Sequence, residues 1–330
     1  MKAKKRWILL CAVVLCVLAL GGAGLLRGMH LLHTALDGRR TRPQEDTRMT
    51  DGLLRAQMMR SQMDTRTQGW LTVIPTEEIA MNTQRGKLYA WLYAPLYEDE
   101  DAPWALVLHG GLGTDHMDVL DVACALSMEG YRVLAPDLYA HGKSEGSCAS
   151  LGLSEAEDVR VWIQWMLERK PDARIVIWAQ DEGAAAALAA AGGGLPQAVR
   201  AIAADSAYAS IQGRAHELLA EVADGPASKS RVDKLLMDAA YCLTHGESVR
   251  NGELTGILRK IDMPLLLLHG TGDQDVPAWH SEDLAAAAGE EASLFFAEGA
   301  LHGMARHAQP QAYYDVLLDF YETALAAQEE

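Results

Sequence analysis

Basic side chains are in short supply. Lys and Arg number 29 against 45 Asp and Glu, a formal net charge of −16 at pH 7. Five of those basic residues lie at or before Arg27, where there is no acid, so the rest of the chain carries −21. Such a surface repels nucleic acid and anionic membranes, and no nucleic-acid partner is expected. Cysteine offers little more. Of five, Cys11 and Cys16 fall in an apolar run, leaving Cys124, Cys148 and Cys242 with neither the spacing of a disulfide framework nor a cluster of metal ligands. No structural disulfide, zinc or cofactor is expected. Internal repeats are absent too, which sets solenoids and propellers aside.

Charge is also missing from one place where its absence is informative. Between Trp7 and Leu26 there is no charged residue, and four of the six residues before this run are Lys or Arg. Twenty helical residues reach roughly 30 Å, the thickness of a bilayer's hydrocarbon core. The expected arrangement is a basic cytoplasmic stub (1–6), a single-pass anchor (7–26) and a main domain outside the cytoplasm. A cleaved signal peptide is the alternative, with Ala19, Gly21 and Ala23 small enough for a cleavage site, which would release the domain as a secreted protein.

What is there in plenty is apolar sequence, 49% of the chain, ample for a real core. Residues 27–69 are expected to form a linker and a docking helix, the latter over "TDGLLRAQMMRSQMDT" with Leu53, Leu54, Met58 and Met63 on one face. From Trp70 to about 327, short apolar strands alternate with helices, the pattern of a mostly parallel sheet covered on both faces. Predicted strands fall at Glu78–Asn82, Lys87–Tyr93, "WALVLHGG", "YRVLAPD", "RIVIWAQ", "AVRAIAADS", "PLLLLHG" and "SLFFAEG". The insert at about 207–260 separates two core strands, the usual place for a lid.

Five stretches carry the chemistry: "LHGGLGT", "PDLYAHGKSEG", "WAQDEGA", "HGTGDQDVP" and "EGALHG", each following a predicted strand. In this order they resemble the α/β-hydrolase superfamily, most closely the bacterial membrane-anchored, serine-aminopeptidase-like α/β hydrolases, from about Trp70 to Ala327. The resemblance implies an α/β-hydrolase fold: a mostly parallel eight-stranded sheet flanked by helices, a helical lid insertion, and here an N-terminal transmembrane helix. It implies an oxyanion donor at Gly111 or Leu112, a second at the N–H of Glu182, a triad acid at Asp273 with Asp275 in reserve, and a base at His302. His109 and His141 fall in the same motifs, where histidines more often hold loops by hydrogen bonds.

One atom departs from the family pattern. The elbow of the family is small-x-Ser-x-Gly, and this chain reads Ala179-Gln180-Asp181-Glu182-Gly183. Ala179 and Gly183 keep the close strand-to-helix packing, whereas the nucleophile position holds a carboxylate. Haloalkane dehalogenases and epoxide hydrolases of the superfamily use Asp there, but the first carry Trp where this chain has Glu182, and the second use two lid tyrosines, for which Tyr208 and Tyr241 are the available residues. Three readings follow: a hydrolase of alkyl-type electrophiles through Asp181, Asp273 and His302; an acyl hydrolase with Asp181 as base for water; and a catalytically inactive binding or structural protein that keeps the pocket. The small-molecule or peptide ligand is not specified by the sequence, and the membrane is met through the N-terminal helix.

Overall fold

The computed structural model describes residues 2–39, 51–97, 99–222 and 230–327, with side chains from residue 19 onward apart from those of 51–53 and 55. Eight strands form one sheet: β1 (Thr76–Asn82), β2 (Lys87–Tyr93), β3 (Trp104–Leu108), β4 (Arg132–Asp137), β5 (Ile175–Gln180), β6 (Val199–Asp205), β7 (Leu265–Gly270) and β8 (Ala292–Ala297). Their order is β1-β2-β4-β3-β5-β6-β7-β8. Only the β1–β2 and β2–β4 pairings are antiparallel; every pair from β4 to β8 is parallel.

Eleven α-helices lie among the described residues: α1 (Lys2–Ala35), α2 (Asp51–Leu71), α3 (Leu120–Met128), α4 (Glu155–Arg169), α5 (Asp181–Gly192), α6 (Ile211–Val222), α7 (Arg231–His245), α8 (Leu254–Leu258), α9 (Trp279–Ala288), α10 (Ala305–Ala308) and α11 (Pro310–Ala326). Because side chains alternate along a strand, the central strands feed two cores at once. Leu106, Leu108, Ile175, Ile177 and Leu267 face one layer, which includes α4 and α5. Val107, Val176, Trp178 and Leu268 face the other, with Trp70 of α2, α3 and α11. Helix α4 begins with Glu155, Glu157 and Asp158 and ends on Arg169, charges that complement its dipole.

The insert between β6 and β7 is helical, carrying α6, α7 and α8. Its two tyrosines are fully buried. The Tyr208 hydroxyl donates to the Leu151 carbonyl at 2.7 Å, and that of Tyr241 to the Ser150 carbonyl at 2.8 Å. Both hydroxyls therefore fasten the insert to the loop after β4.

At the amino terminus the structure differs from the expected linker. Helix α1 runs on to Ala35, and Leu31, Leu32, Ala35 and Leu36 are buried in the core. Gly24 and Gly28 allow this approach, since a Cβ at Gly28 would overlap the Leu236 carbonyl of α7. The docking helix also turns a different face inward. Ala56, Thr67 and Trp70 are buried and Met63 is partly so, while Leu54 and Met58 are exposed; the Leu53 side chain lies outside the described residues. Trp70 fixes that orientation by donating its indole N–H to Ser127 of α3 at 3.0 Å. Among the described residues no helix is long and apolar enough to cross a membrane, and the side chains of 7–18, most of the expected anchor, lie outside the description.

Candidate active site

Asp181 stands at the turn from β5 into α5 with φ at 47°, a left-handed conformation that is uncommon for a residue with a side chain. The bend is so tight that a Cβ on Gly183 would run into the His109 carbonyl, which explains the small residue there. Ala179, fully buried, sits opposite Leu108 in the parallel ladder and keeps the strand pair close.

Across the bend lies the loop after β8. His302 Nε2 is 3.3 Å from Asp181 Oδ2, and its Nδ1 lies 2.7 Å from Asp273 Oδ2. Asp273 is itself pinned: its Oδ1 accepts the backbone N–H groups of Asp275 at 3.0 Å and Val276 at 2.8 Å. His269 Nε2 stands 3.2 Å from Oδ2. Burial raises the Asp273 pKa, but hydrogen bonds from His269 and His302 outweigh it and hold the carboxyl down to about 2. For His302, burial disfavours the imidazolium, yet the Asp181 charge and the hydrogen bonds to both carboxylates win and raise it to about 10. The two carboxylates thus favour the protonated ring.

These groups open into a cleft of about 350 Å³ lined by Gly110, Gly111 and Leu112 on one side and by Gln180, Asp181, Asp275 and His302 on the other. The structure therefore brings together Asp181, His302, Gly111 and Leu112, with Asp273 behind the ring. Asp275 is part of the cleft wall, and its carbonyl accepts Arg214 Nη1 at 3.1 Å. Glu182 is not on that wall; its side chain is fully buried, 3.5 Å from His141 Nε2. Its backbone N–H belongs to the first turn of α5, where helix geometry leaves amides without an intrahelical partner.

The other histidines hold loops. His109 Nε2 accepts the Leu138 N–H at 3.0 Å while Nδ1 faces Thr114 Oγ1 at 3.1 Å, and burial pushes the ring's pKa down to about 3. His141 Nδ1 lies 3.0 Å from the Tyr139 carbonyl. Neither nearby serine reaches the cleft. Ser206 Oγ donates to Asp205 and Ser144 Oγ to the Asp137 carbonyl.

Three residues of the cleft carry no motif signal. Arg306, buried, donates to Asp121 Oδ2 at 2.7 Å, Gln180 Oε1 at 3.1 Å and the Gly303 carbonyl at 3.1 Å, so it ties the elbow to the histidine loop. Its position four residues after His302 is the hint the sequence offers. His307 follows it into the wall, and Arg60 of α2 closes the far rim.

A parallel sheet with this strand order, a nucleophile-position bend after β5, an acid after β7 and a histidine after β8 define the α/β-hydrolase fold. Residues 103–240 match the family described as alpha/beta hydrolase fold. The chain has the α/β-hydrolase fold. It is 27% identical over 248 residues to the uncharacterized protein YfhR of Escherichia coli K12, covering 73% of this chain and 78% of that one. Among solved structures, an esterase of Pyrococcus furiosus superposes with a TM-score of 0.61 at 20% identity, covering 77% of this chain and 92% of the esterase. A hydrolase from Pseudomonas aeruginosa gives 0.54 at 19% identity, with 74% and 98% covered.

Proposed function

We propose that this protein is a hydrolase of alkyl-type electrophiles that uses Asp181 as a carboxylate nucleophile towards saturated carbon, with His302 as base and Asp273 as its orienter. The observation that carries this reading is the arrangement at the tip of the bend: a carboxylate 3.3 Å from an imidazole that a second carboxylate holds in place. A carboxylate needs no proton removed before it attacks. Asp181 forms a C–O bond to the electrophilic carbon while the leaving group departs with the bonding electrons. Esterification removes the Asp181 charge, the chief influence raising the His302 pKa. The ring then sheds its proton to the leaving group or to solvent and becomes a base. It deprotonates a water that attacks the Asp181 ester, the oxyanion facing the Gly111–Leu112 loop and the N–H of Glu182; collapse breaks the bond between the Asp181 carboxyl carbon and the alkyl oxygen, and His302 returns the proton to the departing alcohol.

Two details shape the electrophile. Tyr208 and Tyr241 are spent on backbone carbonyls outside the cleft, which disfavours epoxide opening by paired tyrosines. Among the described residues no tryptophan lines the cleft, and Glu182 lies buried behind it, which disfavours a halide leaving group. An activated alkyl ester, whose oxygen leaving group the His302 imidazolium protonates, fits better.

Intact mass after incubation with an alkylating substrate tests the reading: His302→Gln should accumulate an ester on Asp181. No adduct and no turnover across epoxide, haloalkane and ester panels would leave the non-catalytic binding protein as the reading. We also propose residues 7–26 as a membrane anchor that places the domain outside the cytoplasm, supported by the uncharged run behind a basic stub. Sizing the mature amino terminus separates this from a cleaved signal.

A further inference from the structure

Six of the fourteen exposed large hydrophobic side chains among the described residues lie on two adjacent helices, α1 and α7. On α1 they are Leu20 and Leu26, each 73% exposed, and Leu25; on α7 they are Val232 at 63%, Leu235 at 58% and Leu243. Isolated exposed leucines need no explanation, but contiguous ones mark a surface that something covers. Helix α7 already buries Met237, Ala240 and Tyr241 against the core, so Val232 and Leu235 form a second apolar face.

The two helices run side by side in the same direction. Gly24 and Gly28 meet Leu236, and Gly28 also meets Ala240. Arg27 donates to both carboxylate oxygens of Asp233, at 2.5 and 2.9 Å. Val232, one helical turn before Leu236, thus stands level with the end of the uncharged run that closes at Leu26. The same level carries cations. Arg231 is exposed and Lys234 half-buried, in a chain of net charge −16, and the one acid among them, Asp233, is neutralised by Arg27.

We infer that the amino-terminal end of α7 is seated in the interface of a lipid bilayer beside α1, with Val232 and Leu235 among the upper acyl carbons and Arg231 and Lys234 at the phosphates. This rests on the proposed anchor and adds to it a second point of contact. Apolar side chains bordered by basic ones suit the headgroup boundary, where the charged ends reach water while the stems stay buried. Helix α1 is unbroken from the anchor into the core, so no slack linker separates membrane and domain. The cap is mounted on the bilayer in one orientation.

The test uses the full chain in phosphatidylcholine vesicles, with Cys11, Cys16 and Cys242 replaced by Ala and an environment-sensitive fluorophore on Val232→Cys or, as the reference further along α7, Leu243→Cys. The fluorophore at 232 should shift to the blue and be quenched by lipids carrying a nitroxide near the headgroup, while that at 243 responds less. Quenching at 232 in a protein that alkaline carbonate strips from the vesicles would uphold the seated helix and remove the anchor. A protein that floats with the vesicles while position 232 stays water-like would overturn the inference and leave the anchor standing. Disulfide cross-linking through Val232→Cys in detergent, with no quenching in vesicles, would assign the face to a second copy of the chain and overturn it as well. A protein that does not float would sink both.

Discussion

Two clusters in this molecule contain the same residue types in different settings. Asp181 and His302 line the cleft with Asp273 behind the ring; Asp115, His116 and Asp137 bring their polar atoms within 4.8 Å of one another. In the second cluster both oxygens of Asp137 are used. Asp137 Oδ1 takes both the backbone N–H and Nδ1 of His116 at 2.9 Å, and Oδ2 takes the Lys143 N–H at 2.7 Å. The imidazole stacks on Trp91 with ring centroids 3.4 Å apart. In the first, the carboxylate sits on a left-handed backbone and opens into 350 Å³ of cleft. The lesson is that residue types do not make a site. Access and a backbone held out of its comfortable region do.

That contrast can be broken by substitution. The largest effect is expected from Asp181→Asn, which should abolish the covalent adduct and lower turnover by several powers of ten in single-turnover assays. Asp181→Ser, in turn, should yield esterase activity on an activated acyl ester if the Gly111–Leu112 loop and His302 are arranged for it. Next comes Asp273→Asn: with the ring no longer held in its working tautomer, kcat should fall roughly 10³- to 10⁴-fold while urea unfolding shows a folded protein. Asp137→Ala should do the reverse, costing about 3–5 kcal/mol of stability by leaving buried donors unpaired and preserving activity per folded molecule. Asp275→Asn, on the wall and outside the His302–Asp273 bond, should change kcat less than about tenfold.

The pH dependence sharpens the same comparison. His302 is raised from 6.5 to about 10, so its ion pairing stabilises the fold fully below pH 6.5 and that contribution is lost as pH climbs through 10. Asp273, lowered from 3.8 to about 2, contributes above pH 3.8 and loses its contribution as pH falls through 2. Histidine resonances followed by NMR should show His302 titrating near its ordinary value in Asp181→Asn, because the leading upward influence is gone. A ring that still titrates near 10 in that variant would assign the shift to Asp273 instead.

Much of this was legible in the sequence because it rests on local rules. The run Ile175–Ala179 and the small residues around Asp181 mark a buried strand meeting a helix at a tight bend, and the expected strands fall on the eight observed. Other features depend on partners far along the chain. Gly24 reads as part of an apolar anchor and Gly28 as the start of a linker, since nothing local says that Leu236 lies against them. The buried face of α2 was misjudged because Trp70 and Ser127, 57 residues apart, set its rotation. Arg306 and Gln180 meet across 126 residues, and no periodicity announces such a pair.

The φ of 47° at residue 181 has one more implication, for thermal stability. Aspartate and asparagine tolerate the left-handed region better than serine, because a short polar side chain can bond to its own backbone. Exchanging a hydroxyl for a carboxylate at this corner relaxes the peptide even as it discards the familiar chemistry. Asp181→Ser should therefore melt at a lower temperature than the parent whatever its reactivity.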